Sequence, residues 1–141
     1  MRRNCDSGGS LCEVVDPTNT NDAALKALTE NTLVLYIEGT PEHAQMLVER
    51  FRKNPKPMYY QPAFLDTKWA EFKHINKIRD DDTVDPDHFA IWGFEQLLHH
   101  RLPLYRNIAA RHGYTIAMTE VPKVKSEADF TALLAHVIDK A

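Results

Sequence analysis

Thr32-Leu-Val-Leu-Tyr-Ile-Glu-Gly-Thr-Pro-Glu42 decides the fold class of this chain. From Thr32 to Ile37 it is continuously apolar and partly β-branched, the pattern of a parallel strand covered on both faces. Thr40-Pro41-Glu42 then opens a helix. Threonine suits the N-cap, proline suits the first helical position where no N–H is needed, and an acid faces the positive end of the helix dipole. Ala44, Leu47, Val48 and Phe51 recur at helical spacing and predict a helix lying on the sheet. A covered strand running straight into a helix is the repeating unit of an α/β protein with a parallel sheet.

Working outward, the start of the chain reads as a glycine-bearing turn, Asp6-Ser-Gly-Gly-Ser10, followed by a short extended piece at residues 11–15. A helix is predicted from Asp22 to Glu30, with Asn21 or Thr20 as its N-cap and Ala24, Leu25 and Leu28 inward. Beyond the opening strand and helix, Asn54-Pro-Lys-Pro57 stops the helix. Phe64, Leu65, Trp69, Phe72 and Ile75 predict an amphipathic helix, and residues 79–84 form a charged loop. Asp85-Pro86 starts the next helix, which Pro103 should kink or split, and which should end at Gly113. Tyr114 to Met118 reads as a second strand. Ser126-x-x-Asp129 caps a last helix with Phe130, Leu133, Leu134, Val137 and Ile138 inward. Only these two strands are convincing, and a parallel pair needs further strands to be stable. A partner chain or self-association would complete the sheet.

The whole chain, residues 1–141, reads as a single domain. Its 17 Lys and Arg against 20 Asp and Glu give a formal charge of −3, with no basic stripe, which argues against nucleic acid as a partner. Apolar runs such as Leu33 to Ile37 are far short of the roughly 20 residues of a membrane span, and Met1-Arg-Arg3 leads into polar residues. No membrane partner is expected, and the composition suits a cytoplasmic protein. Cys5 and Cys12 are neither a disulfide framework nor a zinc pattern and read as free thiols.

Arg101-Leu-Pro-Leu-Tyr-Arg-Asn-Ile-Ala109 places a cation one turn before Leu-Tyr and leads into an apolar helix. With Gly8-Gly9, the Leu33–Ile37 strand and Lys56-Pro57 in order before it, this stretch resembles the C-terminal part of the shikimate-kinase-like P-loop kinases. The resemblance covers most of the chain and implies a partial three-layer P-loop-kinase-like fold, a parallel sheet of few strands flanked by helices. It implies an ATP-dependent phosphotransferase acting on a small hydroxyl substrate, with Mg²⁺ and ATP as cofactors. By the same resemblance Gly8, Gly9 and Arg101 contact substrate, the arginine holding its carboxylate. Arg50 and Arg52 flank the adenine with Val121 and Pro122 from a later loop, and Lys56 is the cation of the mobile lid. Lysine there replaces the family's arginine and lacks the planar fork that grips phosphate.

Residues 56–100 read as an enlarged helical lid. Its two tryptophans and several phenylalanines would either clasp a substrate or form a satellite core, and the second is favoured. No Gly-x-x-x-x-Gly-Lys-Ser/Thr occurs in the chain, so the phosphate cradle is missing. The expectation is a kinase-like C-terminal part, inactive alone, and the alternative is a non-catalytic remnant that binds a ligand or another chain. His88, His99, His100 and His112, with Asp85 and Asp87, have the residue types of a metal site. They lack the i, i+4 motif that would put two histidines on one face, so no metal ligand is assigned.

Overall fold

The opening stretch folds as strand and helix: β1 spans Val34–Glu38 and α2 spans Pro41–Lys53, following α1 at Ala23–Thr29. The structure is a computed structural model and describes residues 9–140. α3 covers Pro62–Ile75, α4 Pro86–His112, β2 Gly113–Ala117 and α5 Glu127–Asp139. β1 and β2 pair in parallel, from Val34 opposite Gly113 to Glu38 opposite Ala117. They form a two-stranded sheet among the described residues, flanked by helices, which makes the class α/β. Parallel strands cannot be joined by a hairpin, so α2, α3 and most of α4 lie within the single crossover between them.

Two compact units emerge, one built from residues 1–40 and 101–141 and the other from 41–100. The first holds the sheet. Its core is Cys12, Val15, Leu25 and Ile108, joined by Leu11, Ala24, Leu28, Val34, Leu104 and Tyr105. α5 packs on β2 with Phe130, Leu133, Leu134 and Val137 half-buried, while Ile138, expected inward, is exposed. Gly113 is required by closeness: a β-carbon there would stand 2.6 Å from the Val34 carbonyl oxygen. That contact, across the parallel ladder, leaves room for hydrogen only.

The second unit, residues 41–100, is helical. Its aromatics pack on one another. Phe72 is 1% exposed and meets Trp69, His88, Phe89 and Trp92 at ring-centre distances of 5.2–6.2 Å, while Phe51 stacks on Phe94 at 4.3 Å. These side chains make the unit's own core, each fully buried ring contributing about 2–3 kcal/mol.

Several expectations are corrected. Residues 11–13 form a 3₁₀ turn, not an extended piece, because turning the backbone sends both Cys12 and Val15 into the core. Asp22, not Asn21 or Thr20, caps α1, its carboxylate accepting from the Leu25 N–H at 2.7 Å. The Asn19 side chain meanwhile accepts from the Asn21 N–H in a local turn. β1 is not covered on both faces, since Ile37 is 42% exposed, and in α2 Leu47 is exposed as well. α4 runs unbroken through Pro103. A proline there removes one helical bond at a cost of about 3 kcal/mol, offset by Leu104, Tyr105 and Ile108 packing in the core just beyond it.

Candidate functional site

Arg101 and Tyr105 stand one turn apart on α4 and therefore share a face. That face meets the turn at the start of the described chain. A β-carbon on Gly9 would lie 2.8 Å from Arg101 Nη1 and 3.2 Å from the Tyr105 hydroxyl. Only glycine lets the guanidinium come so close. The Tyr105 hydroxyl donates to the Gly9 carbonyl oxygen at 2.6 Å, and the Cys12 thiol donates to the same oxygen at 3.4 Å.

The remaining partner is Glu13, which the 3₁₀ turn presents from the same segment. Arg101 donates from Nε and from Nη2 to Glu13 Oε2, at 3.1 and 2.8 Å. The Glu13 side chain is 3% exposed and that of Arg101 14% exposed, so this is a buried ion pair and not a surface contact. Such a pair persists only where hydrogen bonds offset its desolvation, and here Arg101 directs both of its hydrogen bonds to Oε2. His112 contributes a further tie between α4 and the early chain, its Nε2 lying 2.7 Å from the Pro17 carbonyl oxygen.

Burial pushes the Tyr105 phenol up to about 12, with the neighbouring Cys12 adding to the effect. Burial also pushes the Cys12 thiol up, against the opposing hydrogen bond with Tyr105 and the charge of Arg101. Both groups are therefore protonated near neutral pH.

Of the residues named from the sequence, Gly9 and Arg101 come together in this way. Gly8 lies outside the described residues, as does Cys5. Val121 and Pro122 sit in a 3₁₀ segment, Met118–Lys123, and are exposed. Lys123 in the same segment pairs with Glu120 at 2.8 Å. Arg50, Arg52 and Lys56 belong to the other compact unit. There Arg52 meets Glu49 at 3.7 Å on an exposed face, Arg50 lines a groove of about 470 Å³ along α2 with Glu42, Met46 and Lys53, and Lys56 is exposed. Arg106, one turn beyond Leu102, pairs with Glu38 at the end of β1.

Glu13, Cys12 and Tyr105 are site residues that the sequence reading passed over. The Tyr105 signal was present, since i, i+4 spacing from Arg101 puts both on one helix face. Glu13 gave none, being 88 positions from its partner.

A surface cavity of about 580 Å³ lies elsewhere, between β2 and α5 with Ile116, Leu133 and Val137 on its walls, and is lined by none of the substrate, nucleotide or lid residues named from the sequence. Among the described residues no group of three or more His, Cys, Asp or Glu is placed to hold a metal ion. The histidines have other surroundings, His88 edge-on to Phe72 and His100 tilted over Phe64 at 4.9 Å. Among the described residues no helix is long and apolar enough to cross a membrane. Comparison with protein-family models, curated proteins and solved structures returns no match to this chain.

Proposed function

We propose that this chain supplies the acceptor-holding side of an ATP-dependent, shikimate-kinase-like phosphotransferase that acts on a small hydroxyl compound, and that it is inactive alone. The observation that supports this reading is the approach of Arg101 Nη1 to Gly9, with 2.8 Å left for any β-carbon. A glycine turn and a helix arginine, each assigned to substrate by the resemblance, are juxtaposed across most of the length of the chain. Phosphoryl transfer depends chiefly on positioning and charge neutralisation, and this cluster offers the first of these for the acceptor.

The residues of this chain do not by themselves fit Mg-ATP. Backbone amides and a lysine must surround the phosphates, and no Gly-x-x-x-x-Gly-Lys-Ser/Thr is present. In the proposed fold the P-loop strand lies beside β1, whose second edge carries no strand among the described residues. Leu33, just before β1, and Ile37 within it are exposed. The same exposed edge favours the second reading, a non-catalytic remnant that pairs with another chain.

Two measurements separate them. Thermal melting of the 141-residue chain should be unchanged by Mg-ATP, and a clear upward shift would overturn the claim that the phosphate cradle comes from elsewhere. The natural reading frame containing this chain, expressed from its own start, should transfer the γ-phosphoryl of labelled ATP to a hydroxyl compound. Absence of transfer from a folded product carrying a P-loop would leave the remnant reading.

A further inference from the structure

β2 has β1 on one edge and, among the described residues, no strand on the other. No backbone bond from a turn, cap or loop reaches residues 113–117 among the described residues either, so the outward N–H and C=O groups of β2 are left without backbone partners. The cavity of about 580 Å³ lies along that edge. Successive side chains of a strand point to opposite faces, yet every residue from Gly113 to Ala117 lines the cavity, as a space beside the strand requires and a space over one face does not. Ala109 and Ala110 from the end of α4 and Leu133 and Val137 from α5 complete its walls, all within the sheet-bearing unit.

We infer that this cavity is a docking groove for an extended, acidic peptide segment of a partner protein, which adds to β2 as a third strand. Strand addition draws its affinity from main-chain hydrogen bonds and its selectivity from pockets for alternate side chains. The open edge supplies the first. For the second, the two alanines leave room beside the strand, and Ile116, Leu133 and Val137 offer apolar contact to every other residue of the incoming segment. Charge selects the acid. Glu120 on the cavity wall is held by Lys123 at 2.8 Å, whereas Lys140, on the same wall, has no acid partner among the described residues, so the unbalanced charge of the groove is positive. A second copy of this chain matches that charge poorly: β2 carries no acid, and the one acid of β1, Glu38, is paired with Arg106. This edge is opposite the one proposed for a P-loop strand, so the groove does not depend on the phosphotransferase reading.

The test selects random heptapeptides displayed on phage against the full 141-residue chain, then titrates the enriched sequences as synthetic peptides by fluorescence polarisation. Enriched peptides should carry Asp or Glu more often than the unselected library, should slow amide hydrogen exchange within residues 113–117, and should lose binding when N-methylated at alternate residues. Lys140→Glu, at an exposed position, should weaken binding by about fivefold or more, because it replaces an attraction with a repulsion. Ala110→Trp, also at an exposed position, fills the groove and should abolish binding, with circular dichroism establishing that both variants are folded. Failure to enrich any peptide overturns the proposal, as do peptides without acid enrichment, peptides that bind Ala110→Trp as well as wild type, and protection that falls outside residues 113–117. A dimer of the free chain that Ala110→Trp dissociates would give the groove to a second copy and equally overturn it. If Ala110→Trp does not fold, Lys140→Glu and the exchange pattern decide.

Discussion

Replacing Arg101 by methionine removes the guanidinium from a glutamate that is 3% exposed while keeping a long side chain in the same place. Two charge-assisted hydrogen bonds disappear, at 2.8 and 3.1 Å. Each is worth about 1.5–3 kcal/mol, and breaking a buried ion pair from one side costs about 3–5 kcal/mol, so the two routes agree on a loss of at least about 3 kcal/mol. Spread over 141 residues with an unfolding entropy of about 0.3 kcal/mol/K, that lowers Tm by roughly 10 °C. Replacing both partners, Glu13→Leu with Arg101→Met, should cost less than Arg101→Met alone, because no charge is then left in the apolar surroundings. Far-UV circular dichroism in urea is the appropriate assay. Tryptophan fluorescence would report Trp69 and Trp92, which both lie in the other compact unit. An Arg101→Met variant within about 1 kcal/mol of wild type would refute the reasoning, since that is the range of an exposed pair.

Gly113→Ala should destabilise the chain by about 1–3 kcal/mol, the cost of overpacking, and adding Val34→Ala should not rescue it, because the nearest atom is the Val34 backbone oxygen at 2.6 Å. Full rescue in urea unfolding would show that the Val34 side chain was the obstacle. The Tyr105 phenol is raised in the folded state, so its contribution to stability is complete below the unfolded value of about 10 and is lost as pH climbs towards about 12. Melting curves across that alkaline window should therefore fall less steeply for Tyr105→Phe than for wild type, and parallel curves would contradict the assigned burial.

Local rules were legible wherever a few neighbouring residues settled the outcome. The apolar run ending at Ile37, the Thr40-Pro41 helix start and the Ser126 cap, which accepts from the Asp129 N–H at 3.1 Å, could be read directly. Gly113 also marked the end of α4, although its close approach to Val34 could not be read. Local rules failed where tertiary contacts outweighed them. Leu11-Cys-Glu-Val-Val15 has no periodicity that separates a strand from a turn, and burial of Cys12 and Val15 selected the turn. Pro103 argues for a break, and the packing of Leu104, Tyr105 and Ile108 just beyond it offsets that cost, so α4 stays whole. In the candidate site Arg101 and Gly9 stood out as residue types, but the carboxylate that governs Arg101 did not. An ordinary-looking glutamate acquires its role only when the turn at residues 11–13 meets α4 at Arg101.

The parallel ladder joins Val34 to Gly113, so it cannot form until everything between them has been drawn into one closed loop. Loop closure of that length is entropically costly, and contacts distant in sequence are gained late in folding. The aromatic cluster around Phe72 joins residues 69–92 and needs only a short excursion of chain. The helical segment can therefore close through loops far shorter than the one the sheet requires.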